Sequence, residues 1–319
     1  MYWIGVDGGG TKTEVLLSDE QGCVLDSYRT GSTSYKHIGM PECIDILRNA
    51  LKTLETRNEG LGREKACICF ALPNYGESKH ADGLLKKAIA GNFQKYQTFL
   101  VNDCEVGWSG SLGLEPGINL VAGTGAIVFG KDDRGNTARA GGWSDYFSDE
   151  GSCNWLGKKT MELFSKESDG RMQKGALLKI MRERFELKDD FDMIDIFEQN
   201  YQNNRTNTAG LQRILLEAAR QGDRGAVLLY KEAAGELAES VLAVYRKLEW
   251  ESGLKVSYSG GLFHAGEYIL EPLEECLKSY PIQMKTPMFS PAHGAVLLAA
   301  ERFGGVCAAE KLKRAWQTD

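Results

Sequence analysis

The chain has 319 residues, of which 42% are hydrophobic and 26% are charged, and its formal net charge at pH 7 is −6. This composition is typical of a folded globular protein, and the negative charge argues against a nucleic-acid partner. No apolar run reaches the roughly 18 to 20 residues of a membrane-spanning helix, and the length favours two domains of about 150 residues each.

The first residues and the cysteines both favour a cytoplasmic location. The N-terminus follows a strand pattern and lacks the basic, apolar and small-residue succession of a signal peptide. The eight cysteines are scattered along the chain, so we expect reduced and mostly buried thiols rather than a disulfide framework.

The first third of the chain alternates strand and helix patterns in the manner of an α/β domain. Strands are predicted at residues 2–6, 14–18, 23–29, 66–72 and 98–101, and helices at about 41–56, at about 78–91 and after Asp103.

A second cycle begins near residue 117 and repeats this order. As in the first cycle, a Gly/Thr-rich turn separates the first two of three strands, which is a weak internal repeat. The remaining elements are predicted as strands at 118–122, 126–130 and 137–140, helices over about 150–252, strands at 254–259 and 282–285 with a helix between them, and a final helix after Pro291.

We therefore expect two α/β domains, residues 1–116 and 117–319, with a hinge near residues 114–117. The second domain would carry a helical insertion at about 150–252. The last helix is a candidate for packing back on the first domain.

The most informative motif lies directly after the first predicted strand. Here Asp7 precedes three glycines and the segment Thr11-Lys12-Thr13. Glycines lack a Cβ, so we expect them to adopt positive φ and to let backbone N–H groups approach a polyphosphate closely. Asp7 adds a carboxylate suited to a hydrated Mg²⁺. A tight β-hairpin without any ligand is the alternative interpretation.

Five further motifs follow in a fixed order. They are Asn102-Asp103, Gly123-Thr124-Gly125, Gly141-Gly142-Trp143, Asp149-Glu150-Gly151-Ser152 and Ser259-Gly260-Gly261. With the first motif, they resemble the N-acetylglucosamine kinase and BadF/BadG/BcrA/BcrD ATPase family of the sugar-kinase, actin and heat-shock ATPase superfamily. The resemblance extends over essentially the whole chain.

This resemblance implies a fold and an activity. The fold would be two ribonuclease-H-like (actin-like ATPase) domains of the α/β class, with the nucleotide in the interdomain cleft. The activity would be transfer of the γ-phosphoryl group of Mg-ATP to a hydroxyl of an amino sugar or related hexose, with N-acetylglucosamine or glucosamine favoured. ATP and Mg²⁺ would be the cofactors and a small sugar the partner. No nucleic acid or membrane is expected, and a homodimer is left open.

The resemblance also implies a nucleotide site, in which Asp7 holds Mg²⁺ through water. The phosphate and nucleoside contacts would come from Gly9, Gly10, Thr11, Lys12, Thr124, Gly125, Gly260 and Gly261. Lys12 is also consistent with a solvated turn residue, and Gly260-Gly261 with an ordinary strand-to-helix turn.

Asp103 is the candidate general base, which would take the proton of the attacking sugar hydroxyl. Its place after a predicted strand and before a helix also suits an N-cap, as does that of Asn102. The resemblance favours the catalytic role.

The remaining implied residues form an acceptor pocket. They are Ser34, Asn74, Asp103, Gly142, Trp143 and Asp149. Trp143 is alternatively an interdomain core residue, and Asp149 the N-cap of the next helix. Animal relatives carry Asn in a Ser-Thr-Asn segment that contacts sugar, whereas this chain has Ser32-Thr33-Ser34, and Ser144 replaces a glycine after Trp143. The identity of the acceptor therefore stays open.

Two other functions compete with the kinase. One is an ATPase activator of an acyl-CoA dehydratase or reductase, which would need cluster cysteines near the turns, where only Cys104 and Cys153 lie. The other is a non-catalytic ATP-sensing binding module.

Overall fold

The computed structural model describes residues 1–62, 64–251 and 253–317. The chain forms two compact units, one made of residues 1–115 together with 286–319 and the other of residues 116–285. The predicted domain boundaries stay a prediction.

The first unit starts with a five-stranded sheet and its helices. In chain order the elements are β1 (Tyr2–Gly8), β2 (Thr13–Asp19), β3 (Val24–Thr30), α1 (Tyr35–Ile38), α2 (Met40–Arg57), β4 (Ala66–Leu72), α3 (Lys79–Asn92), β5 (Gln97–Asn102) and α4 (Asp103–Leu112). The strand order is β3-β2-β1-β4-β5, with the β1–β2 and β2–β3 pairs antiparallel and the β1–β4 and β4–β5 pairs parallel.

The second unit repeats this sheet and adds helices. Its elements are β6 (Gly117–Ala122), β7 (Ala126–Lys131), β8 (Thr137–Gly141), α5 (Cys153–Ser168), α6 (Ala176–Arg184), α7 (Asp192–Asn200), α8 (Arg205–Gly210), α9 (Gln212–Arg220), α10 (Arg224–Tyr245), β9 (Leu254–Ser259), a 3₁₀ helix (Gly261–Ala265), α11 (Glu267–Leu277) and β10 (Ile282–Lys285). The order β8-β7-β6-β9-β10, with the same pattern of antiparallel and parallel pairs, is that of the first sheet.

Two further helices, α12 (Pro291–Gly304) and α13 (Val306–Gln317), belong to the first unit. They cover one face of its sheet in a cluster with Trp3, Leu16 and Cys69, whereas α2 and α3 cover the other face. A Cβ on Gly5 of β1 would overlap the backbone of α12, so the missing side chain lets this helix lie directly on the strand.

All ten predicted strands are present within two residues of their predicted bounds. In strand β4 all seven residues are buried, as in a central parallel strand covered on both faces, and this is why the strand appears in the sequence as a continuous apolar run. The helix α1 was not predicted. The predicted final helix is two helices, because Gly305 at φ +82° ends α12.

The cysteines are free thiols, and Cys43, Cys67, Cys69, Cys104 and Cys153 are buried. Among the residues that the structure describes, no helix combines the length and the apolar character that crossing a bilayer requires.

Candidate active site

The loop between β1 and β2 is a tight turn that contains backbone N–H groups without a hydrogen-bond acceptor among the described residues. The Gly9 N–H donates to Lys12 O at 2.9 Å, which closes the turn. The Gly9 carbonyl accepts the Thr33 N–H at 3.3 Å and the Ser32 hydroxyl at 3.1 Å. Within the described residues, the N–H groups of Gly10, Thr11 and Lys12 have no protein acceptor. Successive free amides of this kind suit an anion such as phosphate.

The backbone conformation of the three glycines in this turn differs from the prediction. None of Gly8, Gly9 and Gly10 has positive φ, so that expectation was wrong. Gly8 is required by packing, because a Cβ there would lie 2.7 Å from Ala71 O and would also overlap the Thr33 hydroxyl. A Cβ on Gly10, in contrast, would meet no protein atom within 4 Å.

Asp7 and Asp103 lie at the same edge of the first sheet. Strands β1 and β5 flank β4 in parallel, so their carboxyl ends meet there. Burial raises the pKa of Asp7 to about 7, with further increases from the negative charges of Asp103 and Glu14, opposed by Lys12. Neighbouring carboxylates repel each other when they are ionised, and a bound cation would stabilise their ionised forms. No group of three or more metal-ligating side chains occurs in the described part of the chain.

Asn102, rather than Asp103, caps the helix α4. The Asn102 side chain accepts the Cys104 N–H at 3.1 Å, and the Glu105 carboxylate accepts the Asn102 N–H at 3.2 Å, which forms a capping box. Asp103 is the first residue of the helix. The N-cap interpretation of Asp103 was therefore wrong, while its role as a base stays a prediction.

Two of the implied acceptor residues are hydrogen-bonded to each other in the first unit. The Ser34 hydroxyl donates to Asn74 Oδ1 at 2.8 Å, and the Tyr35 hydroxyl donates to Asn74 O at 3.0 Å. The Asn102 amide donates to Tyr75 O at 2.7 Å, which ties the Asn74 loop to the start of α4. The structure thus brings Ser34 and Asn74 to the helix end that carries Asp103.

The second glycine-rich turn, residues 123–125, has the same design as the first. The Gly123 N–H donates to Gly125 O at 2.9 Å. The N-terminus of α5 holds the turn from behind, because the Cys153 and Asn154 N–H groups donate to Gly123 O at 2.9 Å and Thr124 O at 3.3 Å. The N–H groups of Thr124 and Gly125 have no acceptor among the described residues.

Gly260 lies against the end of β6. It has φ +107°, and a Cβ there would overlap Ala122 O, directly before the turn. Gly261 N lies 3.8 Å from the Cβ position of Gly123. The structure therefore places Gly260 and Gly261 beside the Gly123–Gly125 turn.

Asp149 is buried behind the same turn, at 3% exposure. Its Oδ1 accepts the Ala126 N–H at 3.2 Å, and its Oδ2 forms an ion pair with Arg205. Burial raises the pKa of Asp149, while Arg205 and the Ala126 N–H oppose that rise. Ser152, whose hydroxyl accepts the Trp155 N–H at 3.1 Å, caps α5. The N-cap interpretation of Asp149 was wrong.

Gly142 and Trp143 lie on an exposed loop after β8. Gly142 has φ +67°, and Trp143 is 75% exposed, so Trp143 does not belong to the core of its own unit. Tyr146 and Phe147 on the same loop are equally exposed. No ion, ring or hydrogen-bond partner of Trp143 occurs among the described residues, which leaves its side chain available to a ligand.

Sequence reasoning missed Arg205 and underrated Ser32. Arg205 lies in the helical insertion, 80 residues after Gly125, and no local pattern connects the two. Ser32 could have been found, since a hydroxyl next to the implied acceptor residue Ser34 is a ready donor.

A family model described as the BadF/BadG/BcrA/BcrD ATPase family matches residues 4–299. Among curated proteins, an N-acetylmuramic acid/N-acetylglucosamine kinase of Clostridium acetobutylicum is 28% identical over 309 residues, covering 93% of this chain and 98% of the relative. An N-acetyl-D-glucosamine kinase of Dictyostelium discoideum is 26% identical over 311 residues, covering 93% and 97%.

A solved structure has the same fold. It is that of a Chromobacterium violaceum protein provisionally named N-acetylglucosamine kinase, with a TM-score of 0.75 and 26% identity, covering 93% of this chain and 98% of that one. The two five-stranded sheets are thus those of the actin-like ATPase fold.

Proposed function

Because the chain belongs to the BadF/BadG/BcrA/BcrD ATPase family, we propose that it is an ATP-dependent sugar kinase. It transfers the γ-phosphoryl group of Mg-ATP to a hydroxyl of an amino sugar, with N-acetylglucosamine or glucosamine as the favoured acceptor. The names of the curated relatives support this class of substrate.

The observation that carries the proposal is the set of amides in the two turns. Gly10, Thr11 and Lys12 in one turn, and Thr124 and Gly125 in the other, present N–H groups without protein acceptors in the described residues. Fixed N–H donors stabilise the negative charge that develops on phosphoryl oxygens in the transition state. That both turns bind one triphosphate stays a prediction.

Mg²⁺ fits the residues around Asp7. Burial, followed by the charges of Asp103 and Glu14, raises the pKa of Asp7, and Lys12 opposes this rise, so a divalent cation would stabilise the ionised carboxylate. Asp7 would hold the ion through water, and the bound ion would neutralise charge on the phosphates.

Asp103 performs the proton transfer in this proposal. As the sugar oxygen attacks the γ-phosphorus, Asp103 takes the hydroxyl proton. The new bond joins the sugar oxygen to phosphorus, and the bond to the bridging oxygen breaks with its electron pair staying on ADP. Ser34 and Asn74 orient the acceptor beside Asp103, and Trp143 supplies an aromatic face to the sugar ring.

The competing functions lack support from the site. Cys104 and Cys153 are buried, and burial raises the pKa of the Cys153 thiol to about 11, which opposes the thiolate that a cluster ligand requires. A binding module without catalysis would bind ATP but would show no sugar-dependent ADP release.

The test is a panel of acceptors offered with Mg-ATP. We expect sugar-dependent ADP release with N-acetylglucosamine or glucosamine, compared with N-acetylmannosamine, N-acetylmuramic acid and glucose. Asp103→Asn should lower the rate at least about 100-fold, the usual contribution of a general base, with ATP affinity largely kept.

Asp45→Asn is the matched control, because Asp45 is an exposed acid whose ion pair with Arg48 lies on the surface of α2. It should leave the rate unchanged. Equal ADP release with and without every sugar would contradict the proposed function.

A further inference from the structure

Arg205 is the first residue of α8, and its guanidinium lies directly behind the Gly123–Gly125 turn. A Cβ on Gly125 would overlap Arg205 Nη2 and would lie 2.8 Å from Asp149 Oδ2. The guanidinium forms an ion pair with Asp149, whose other oxygen accepts the Ala126 N–H at 3.2 Å. One chain of contacts therefore runs from Arg205 through Asp149 to the residue that follows the turn.

The position of Arg205 is fixed by close packing inside the insertion. A Cβ on Gly157 of α5 would overlap Thr208 O of α8, so the two helices touch backbone to backbone. The Asn204 side chain caps α8 by accepting the Asn207 N–H at 3.0 Å, and the Thr208 hydroxyl donates to Tyr201 O at 3.1 Å. Because α5 also holds Gly123 O and Thr124 O, both helices bear on the same turn.

Asp149, the acidic partner of the pair, is strained and buried, whereas the Arg205 side chain is about one third exposed. Asp149 has φ +64°, a conformation that non-glycine residues rarely adopt. It is almost fully buried, and Arg205 Nε is buried without a hydrogen-bond partner in the described residues. Removing one partner of such a pair leaves a buried charge uncompensated, which is costly.

We propose that Arg205 is a positioning residue for phosphoryl transfer, acting through Asp149 to fix the Gly123–Gly125 turn with its free N–H groups toward the phosphates. The catalytic part rests on the proposed kinase function. The positioning part, which is a claim about the turn itself, does not.

The direct test is amide hydrogen exchange of the ligand-free protein over residues 123–130. Arg205→Ala should raise exchange of the Ala126 N–H about tenfold or more, the effect of losing a hydrogen bond to a charged group. Arg205→Lys, which keeps the charge, should restore most of the protection. Arg184→Ala is the control, because Arg184 forms an exposed ion pair with Glu217 in the same insertion.

Kinetics separate positioning from general support of the fold. We expect Arg205→Ala to weaken Mg-ATP binding several-fold and lower kcat about tenfold, with the affinity for AMP nearly unchanged. A role in the fold alone would lower the Tm and weaken all ligands together.

Unchanged exchange at Ala126 in Arg205→Ala would overturn the inference, whatever the activity. Exchange raised equally by Arg184→Ala would overturn it as well. If the wild-type protein phosphorylated no sugar while Arg205→Ala alone loosened the turn, the kinase function would fail and the positioning would stand.

Discussion

At the residue scale, each glycine-rich turn has one carbonyl that accepts hydrogen bonds from the protein, and this fixes the orientation of its peptide unit. Gly9 O accepts the Thr33 N–H and the Ser32 hydroxyl, and Gly123 O accepts the Cys153 N–H. A trans peptide directs its N–H opposite to its C=O, so the N–H groups of Gly10 and Thr124 point away from these donors. The two turns use different donors, a loop in one unit and a helix N-terminus in the other, to reach the same result.

Gly10→Ala tests whether the first turn binds phosphate. The added Cβ meets no protein atom within 4 Å and Gly10 lacks positive φ, so we expect an unchanged Tm. A phosphate seated on the turn would collide with the methyl group, so ATP affinity should fall about tenfold or more, as measured by calorimetry.

The control is Gly83→Ala, another open position, which lies inside α3. It should leave ATP affinity unchanged and raise stability by about 1 kcal/mol through helix propensity. Full ATP affinity in Gly10→Ala would contradict phosphate binding at this turn.

The sequence already placed several candidate residues at the ends of neighbouring strands, and what it missed has a physical cause. Asp7, Asn102 and Asp103 follow strands whose parallel pairing brings their ends together, which a strand pattern already implies. Arg205 reaches Asp149 only through the packing of α8 on α5, and no periodicity reports a contact of that kind.

At the element scale, the insertion contains a helix whose N-terminus is capped by its neighbours. Gly175 is the N-cap residue of α6 and has no side chain that could accept a hydrogen bond from the first turn. Instead, Asp223 Oδ2 accepts the Leu177 N–H at 2.8 Å, and Glu167 Oε2 accepts the Leu178 N–H at 3.0 Å. Both carboxyls are buried, so α5, α6 and α10 are joined at one point.

This junction predicts a pH dependence of stability. Burial, followed by the charge of Asp223, raises the pKa of Glu167 in the folded protein. Folding thus favours the protonated Glu167, and this contribution is full below the pKa of the unfolded chain and is lost as pH rises through the raised folded pKa. Glu167→Gln stays neutral and keeps the hydrogen bonds, so it should gain about 1 kcal/mol on the wild type as pH rises.

The measurement is urea unfolding between pH 5 and 8. Glu162→Gln on the same helix is the control, because hydrogen bonds from Lys166 and Lys159 lower the pKa of Glu162 and keep it ionised over this range. Its difference from the wild type should not change with pH. A constant difference for Glu167→Gln as well would contradict a raised pKa of Glu167 in the folded protein.

At the scale of the whole molecule, the two sheets have one topology built twice. The repeated order of strand, Gly/Thr turn and strand was visible in the sequence, and the sheets confirm it. The return of α12 and α13 to the first unit was only a candidate, because burial against strands made some 290 residues earlier leaves no local pattern. Local sequence patterns predicted which residues form helices. Contacts between residues far apart in the sequence determine which sheet each helix packs against.

Matched leucine truncations should report on the two units separately. Leu312 of α13 and Leu237 of α10 are both fully buried, in the first and second unit. Each Leu→Ala change should cost about 2–5 kcal/mol. Hydrogen exchange should rise in β1 and β4 for Leu312→Ala and in β7 and α10 for Leu237→Ala. Uniform acceleration of both units by either change would contradict two separately cored units.

The return of α12 to β1 has a consequence for how the protein is made. A ribosome releases residues 116–285 as one uninterrupted stretch, whereas the sheet that begins at Tyr2 must wait for the helices from Pro291 onward to cover its second face. The second unit can therefore fold before the first unit is complete. Until translation reaches α12, the nascent chain exposes an apolar surface around Trp3 and Cys69, which is a natural substrate for chaperones.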